Sequence, residues 1–189
     1  MQISKLKGDA SIAVLSLFTV ILMGLCLEFV FFHKLIMKEA EGVQDDVILS
    51  NLAVYKDVDM EALSFKEGCL KISDYNAAFK TFKDHLQKNM RLDNNFNSLN
   101  GQFIEGNVTI DEFTIYNVEN NYVEILTYSR ENNEFTRREI KNRSINVVKT
   151  TDNVVVKNTS VHAAISYDVR LLFGQKKRVM TSVDTDVVN

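Results

Sequence analysis

Hydrophobic positions along this chain follow three successive patterns, and each predicts a different kind of element. From Ala10 to Leu27 the run ASIAVLSLFTVILMGLCL carries no charge and no proline. About 18 such residues at ~1.5 Å per residue make a helix of close to ~27 Å, enough to cross a bilayer core. Between Lys34 and Asp57 the apolar residues thin to a stripe of Ile36, Ala40, Val43, Val47 and Val54, widened by Ile48, Leu52 and Tyr55. The helix is therefore expected to continue past the apolar run with one apolar face. Gly42 would soften it, at about 1 kcal/mol relative to alanine. A second amphipathic helix is predicted where Tyr75, Ala78, Phe79, Phe82, Leu86 and Met90 share a face, with Ser73 or Asp74 as its cap. Aromatic residues at this spacing read as core, not as a cofactor box.

Beyond the polar, asparagine-rich stretch Asp93 to Gly101 the period shortens to two. Phe113 to Val118 and Tyr122 to Tyr128 read as strands joined by Glu119-Asn120-Asn121, and Glu131 to Glu134 reads as the next turn. Val161, Ala163, Ile165, Tyr167, Val169, Leu171 and Phe173 alternate without a break. Val179, Thr181, Val183, Thr185 and Val187 do so again after a turn at Gly174-Gln175-Lys176-Lys177, which predicts a long C-terminal hairpin. Helices first and strands afterwards indicate an α+β fold: a long N-terminal transmembrane helix extending into an exported domain with a second amphipathic helix and an antiparallel β-meander. Proline is absent, so strand edges lack that guard against pairing, and the last strand is a candidate exposed edge.

Charge and cysteine content narrow the partners. The 189-residue chain has a formal charge of −3, which argues against nucleic acid. The basic groups Arg137, Arg138, Lys141, Arg143 and Lys176, Lys177, Arg178 lie among strand signals with acidic neighbours and read as solvated edges. Of the two cysteines, Cys26 lies in the apolar run and Cys69 outside it, so no internal disulfide is expected and Cys69 reads as a small buried apolar residue. Glu28 is the one charge inside the extended apolar region. Near the outer surface it can reach the headgroups, which makes it a candidate interfacial or helix-pairing carboxylate.

No catalytic constellation stands out. The three histidines, His33, His85 and His162, look isolated and lack the spacing of a zinc site, so neither metal nor cofactor is implied. Asp184 and Asp186 would share the solvent-facing side of the last strand, and Asp57, Asp59 and Glu61 read as a helix terminus with its turn. There is no phosphate-binding glycine loop and no nucleophile elbow.

Three fates compete for the N-terminus. The apolar run is longer than that of an ordinary secretory signal and leads into Glu28-Phe29-Val30-Phe31-Phe32, which disfavours cleavage there. Lipoprotein processing at Cys26 is disfavoured by Leu25 directly before it. Cleavage after Gly8, before the apolar run, is the third. Lys5-Leu6-Lys7-Gly8-Asp9, followed at once by the apolar helix, resembles the start of type IV pilin-like proteins, especially the TadE-like minor pilins or pseudopilins of Tad-type machines. The resemblance implies a basic leader over residues 1–8, a processing junction at Gly8 and Asp9 for a prepilin-type peptidase, and a transmembrane helix over 9–32. It also implies a helical extension over 33–57, an exported α+β domain over 58–189, and partners among pilin-like subunits or assembly-platform proteins. Many pilins carry glutamate at the fifth mature position, which here is Ala13.

The expected function is thus a non-enzymatic minor pilin or pseudopilin-like component of a Tad-type filament or secretion machine. It would be anchored in the cell membrane with the N-terminus cytoplasmic and the C-terminal domain extracellular. The alternative is a permanently anchored, single-pass envelope protein with a binding or scaffolding ectodomain. A membrane-tethered enzyme using Asp184, Asp186 or His162 is the remaining reading.

Overall fold

The computed structural model describes residues 3–58, 70–99, 103–171 and 174–186, with side chains from residue 11 onward. Asp59, Glu61, Cys69, Phe173, Val187 and the side chain of Asp9 lie outside the described residues. The chain divides into two compact units, Met1–Glu41 and Gly42–Asn189.

The first helix, α1, runs from Ile3 to Ala53 and tightens into a 3-10 turn at Val54–Asp57. The α-helix was expected to reach Asp57; instead the chain leaves it at Ala53, and Val58 N–H closes the tighter turn on Tyr55 O. Gly42 stays helical. Within the second unit α1 buries Val43, Val47, Ser50 and Asn51, and the 3-10 turn continues the stripe with Val54, at three and four residue spacing. The second helix, α2, spans Tyr75–Asn89, and of its two candidate caps Asp74 accepts from Ala77 N–H at 2.9 Å. Asp74→Ala should remove that bond and cost about 1 kcal/mol, read as a Tm lowered by about 2–4 °C.

Five strands form one antiparallel sheet in the order β3-β2-β1-β4-β5: β1 Ile104–Glu119, β2 Tyr122–Ser129, β3 Glu134–Lys141, β4 Ser160–Arg170 and β5 Lys176–Asp186. β1 to β3 make the expected meander. The chain then crosses back through residues 142–159 so that β4 pairs with β1. Asparagine supplies the reversals: Asn120, Asn133, Asn142 and Asn153 all have positive φ, a conformation that this side chain tolerates better than most. β1 starts nine residues earlier than the alternation indicates, because register shifts at Glu105/Thr109 and Ile110/Glu112 break the period, with Gly106 at φ 79°. The last turn also differs. Leu171 N–H bonds Gln175 O at 2.7 Å, so Lys176 and Lys177 belong to β5. β3 and β5 are the sheet's edges, as proposed for the last strand.

Alternation gives the sheet two faces. One carries Phe113, Ile115, Leu126, Val161, Ala163, Ile165, Tyr167 and Val183, packed with Ala78, Phe82 and Leu86 of α2, with Val43 and Val47 of α1 and with Val54 of the 3-10 turn. Asn51 Nδ2 reaches Val183 O at 3.3 Å and Thr185 Oγ1 at 3.2 Å, and Tyr55 OH donates to Thr185 O at 2.7 Å, so polar contacts as well as burial hold the end of α1 and its 3-10 turn to β5. The other face carries Tyr116 and Val123 beneath Val148 and Val156 of the crossing loop.

Candidate functional site

In the first unit, α1 presents an apolar surface with nothing over it. Leu17 is 62% exposed and Phe18 61%, and no residue of the most apolar stretch of 18 is buried. Two of its hydroxyl groups are satisfied inside the helix: Ser16 Oγ donates to Ala13 O and Thr19 Oγ1 to Leu15 O, both at 2.9 Å. Hydroxyl groups bonded back to the helix suit a solvent that offers no hydrogen bonds. Among the described residues it is one helix long and apolar enough to cross a membrane, followed by a β-sheet domain, as in a single-pass membrane protein. Glu28 is exposed on it and makes no hydrogen bond or ion pair with a described residue. Gly8 and Asp9 lie within the helical backbone near its start.

The second unit holds a polar cluster on the sheet face away from the helices. His162 of β4 is directly opposite Asp184 of β5. The ring is fully buried, with Nδ1 2.9 Å from Asp184 Oδ1 and 4.0 Å from Asp152 Oδ2 on the crossing loop. His162 is therefore not isolated, and Asp184 is not simply solvent-facing, contrary to both sequence expectations; Asp186 is exposed. Hydroxyl groups steady the carboxylates. Thr150 Oγ1 donates to Asp184 Oδ2 at 2.8 Å, Ser182 Oγ to Asp152 Oδ2 at 2.7 Å, and Thr151 Oγ1 to Glu112 Oε1 at 2.9 Å. Burial, with Glu112, Asp184 and Asp152 nearby, pushes the Tyr116 hydroxyl up to about 12. Asp152, His162 and Asp184 form a donor set of one nitrogen and two oxygens whose ligand atoms all lie within 4.8 Å of one another.

A second polar cluster sits on the helical side. Glu124 is buried in β2, 2.6 Å from Arg137 Nη2 and 3.6 Å from Lys71 Nζ, and it accepts from Asn117 Nδ2 at 3.2 Å. Asn117 also accepts from Ile72 N–H at 2.9 Å and donates to Ile72 O at 3.0 Å, pairing that segment as a strand would. Each charge here has an opposite partner, and the arrangement reads as a fastening of the segment at Ile72 to the sheet. Sequence reasoning missed Glu112, Asn117, Glu124 and Asp152. For the first three the one signal is polarity at positions that alternation assigns to a sheet face, whereas Asp152, on the crossing loop, carries none.

No protein-family model matches the chain, and no similar curated protein or solved structure was found.

Proposed function

We propose that this protein is an anchored assembly subunit of the pilin-like kind, a TadE-like minor pilin or pseudopilin of a Tad-type filament or secretion machine. The observation that supports this reading most is the division of labour along α1. Its first part is an uncovered apolar helix, and from Val43 onward it contributes core to a sheet domain. A helix that first holds a precursor in the bilayer and then packs against neighbouring helices needs such a surface, and a domain carried on its end needs to be rooted in it. Lys5 and Lys7 support an N-terminus kept in the cytoplasm, with the sheet domain outside. Bilayer lipid and other pilin-like subunits or assembly-platform proteins are then the partners, and the work is assembly, not catalysis.

The test is the mass and N-terminal sequence of the native protein taken from its own membranes. A chain beginning at Asp9 is the expected result and brings in a prepilin-type peptidase acting after Gly8. A chain beginning at Met1 would overturn the pilin reading. It would leave the second, a permanently anchored envelope scaffold, which Ala13 favours because it stands where many pilins place a pairing glutamate.

A further inference from the structure

We propose that Asp152, His162 and Asp184 bind one divalent cation of the zinc type, which ties the crossing loop 142–159 to the exposed-side face of the sheet. The geometry comes first. Zinc holds imidazole nitrogen and carboxylate oxygen at about 2.0–2.2 Å, so tetrahedral donors stand about 3.4 Å apart. The separations of 2.9 and 4.0 Å from His162 Nδ1 straddle that distance, and small side-chain rotations bring all three donors onto one ion. Two of the three stand on the paired strands β4 and β5 and the third on the loop, so an ion at their centre would add a bond between loop and sheet to the Thr150 and Ser182 contacts and the packing of Val148 and Val156. Asp152 is half exposed, which leaves a way in and a position for water as fourth ligand.

Charge balance supplies an independent reason. Asp152, Asp184 and Glu112 surround Tyr116, and among the described residues no lysine or arginine pairs with any of them. Elsewhere on the domain Glu124 has Arg137, Glu105 has Arg170 and Lys176, and Asp168 has Arg178 as partners. A proton on His162 would offset one negative charge, whereas a dication offsets both ligating carboxylates. His162 is fully buried and its ring turns Nδ1 into the cluster. Thr150 holds the outer oxygen of Asp184, and Ser182 reaches both oxygens of Asp152, a second layer of contacts of the kind that orients metal ligands. One imidazole with two carboxylates suits zinc better than calcium or magnesium, which favour sets made of oxygen alone.

The test uses the full chain in detergent micelles, stripped with chelator and titrated with ZnCl2, with CoCl2 as the coloured probe. Expected are one saturable site per chain and visible cobalt absorption of tetrahedral strength. Zinc should also move the His162 proton from Nδ1 to Nε2 in nitrogen NMR, because Asp184 holds it on Nδ1 without metal. Asp152→Asn, at the most exposed ligand, should weaken binding at least about tenfold with unchanged circular dichroism. Asp184→Asn provides the second variant. Absence of saturable zinc and cobalt binding would overturn the proposal, as would an unmoved His162 proton. So would undiminished affinity in both folded variants.

Discussion

Truncation of Phe82 to alanine should cost the sheet domain about 3–5 kcal/mol, the range found when a buried aromatic is replaced by a methyl group. Phe82 is fully buried at the middle of α2, its ring 5.0 Å from that of Phe113 on β1, and Phe79 approaches the same Phe113 ring at 5.2 Å. The lost contacts cannot be recovered by collapse. Ala78 and Leu86 hold α2 on either side of the gap, and the strand beneath is pinned by β2 and β4. A domain of this size has about 5–15 kcal/mol in hand, so the variant should unfold at a far lower denaturant concentration with little change in slope. Phe82→Leu refills most of the space and should lose clearly less. A loss below about 1 kcal/mol for the alanine variant would mean that α2 does not sit on the sheet as described.

That helix was legible from the sequence because its apolar face repeats over four turns and its cap is local. The same holds for the turns at Asn120 and Asn133, where a residue that tolerates positive φ stands between alternating runs. Locality is what these features share. Where the pattern failed, two non-local causes can be named. Irregular pairing hid the first half of β1, since a bulge shifts which side chains point inward and polar residues then fall at positions that alternation marks as buried. The polar cluster was hidden by register. A turn centred on Gln175-Lys176 would set His162 opposite Asn189, whereas the earlier turn, between Arg170 and Lys176, sets it opposite Asp184. Because side-chain partners change with every position of slip, the placement of one turn decided whether His162 looked alone. Asp152 was beyond reach altogether, since its approach depends on how the loop folds across Tyr116 and Val123. The sheet order has the same origin. Sequential strands usually neighbour one another, and nothing in residues 142–159 announces a return to β1.

Two arginines on one face of the apolar helix, Leu17→Arg together with Ile21→Arg, should release the protein from the membrane. Leu17 and Ile21 lie four residues apart near the middle of the uncharged run, 62% and 53% exposed. An arginine at the centre of a spanning helix costs about 3 kcal/mol, so the pair costs about 6 kcal/mol, a factor of more than about 10,000 in an insertion equilibrium. Snorkelling offers little relief this far from either end, and sliding the helix offers none. The longest uncharged stretch left between Asp9 and Lys34 would run from Ala10 to Ser16, far short of a bilayer core. Wild-type chain should stay with the membrane pellet after alkaline carbonate extraction, and the double variant should move to the supernatant or to aggregates. Either single arginine should give a mixture, and the paired alanine variant should stay in the pellet. Glu28→Gln should also behave as wild type, because a carboxylate near the end of the run reaches water along its own side chain. Carbonate-resistant membrane association of the double-arginine chain would show that something other than residues 10–27 holds the protein to the bilayer. The uncovered face of α1 would then have to be a contact surface for protein alone.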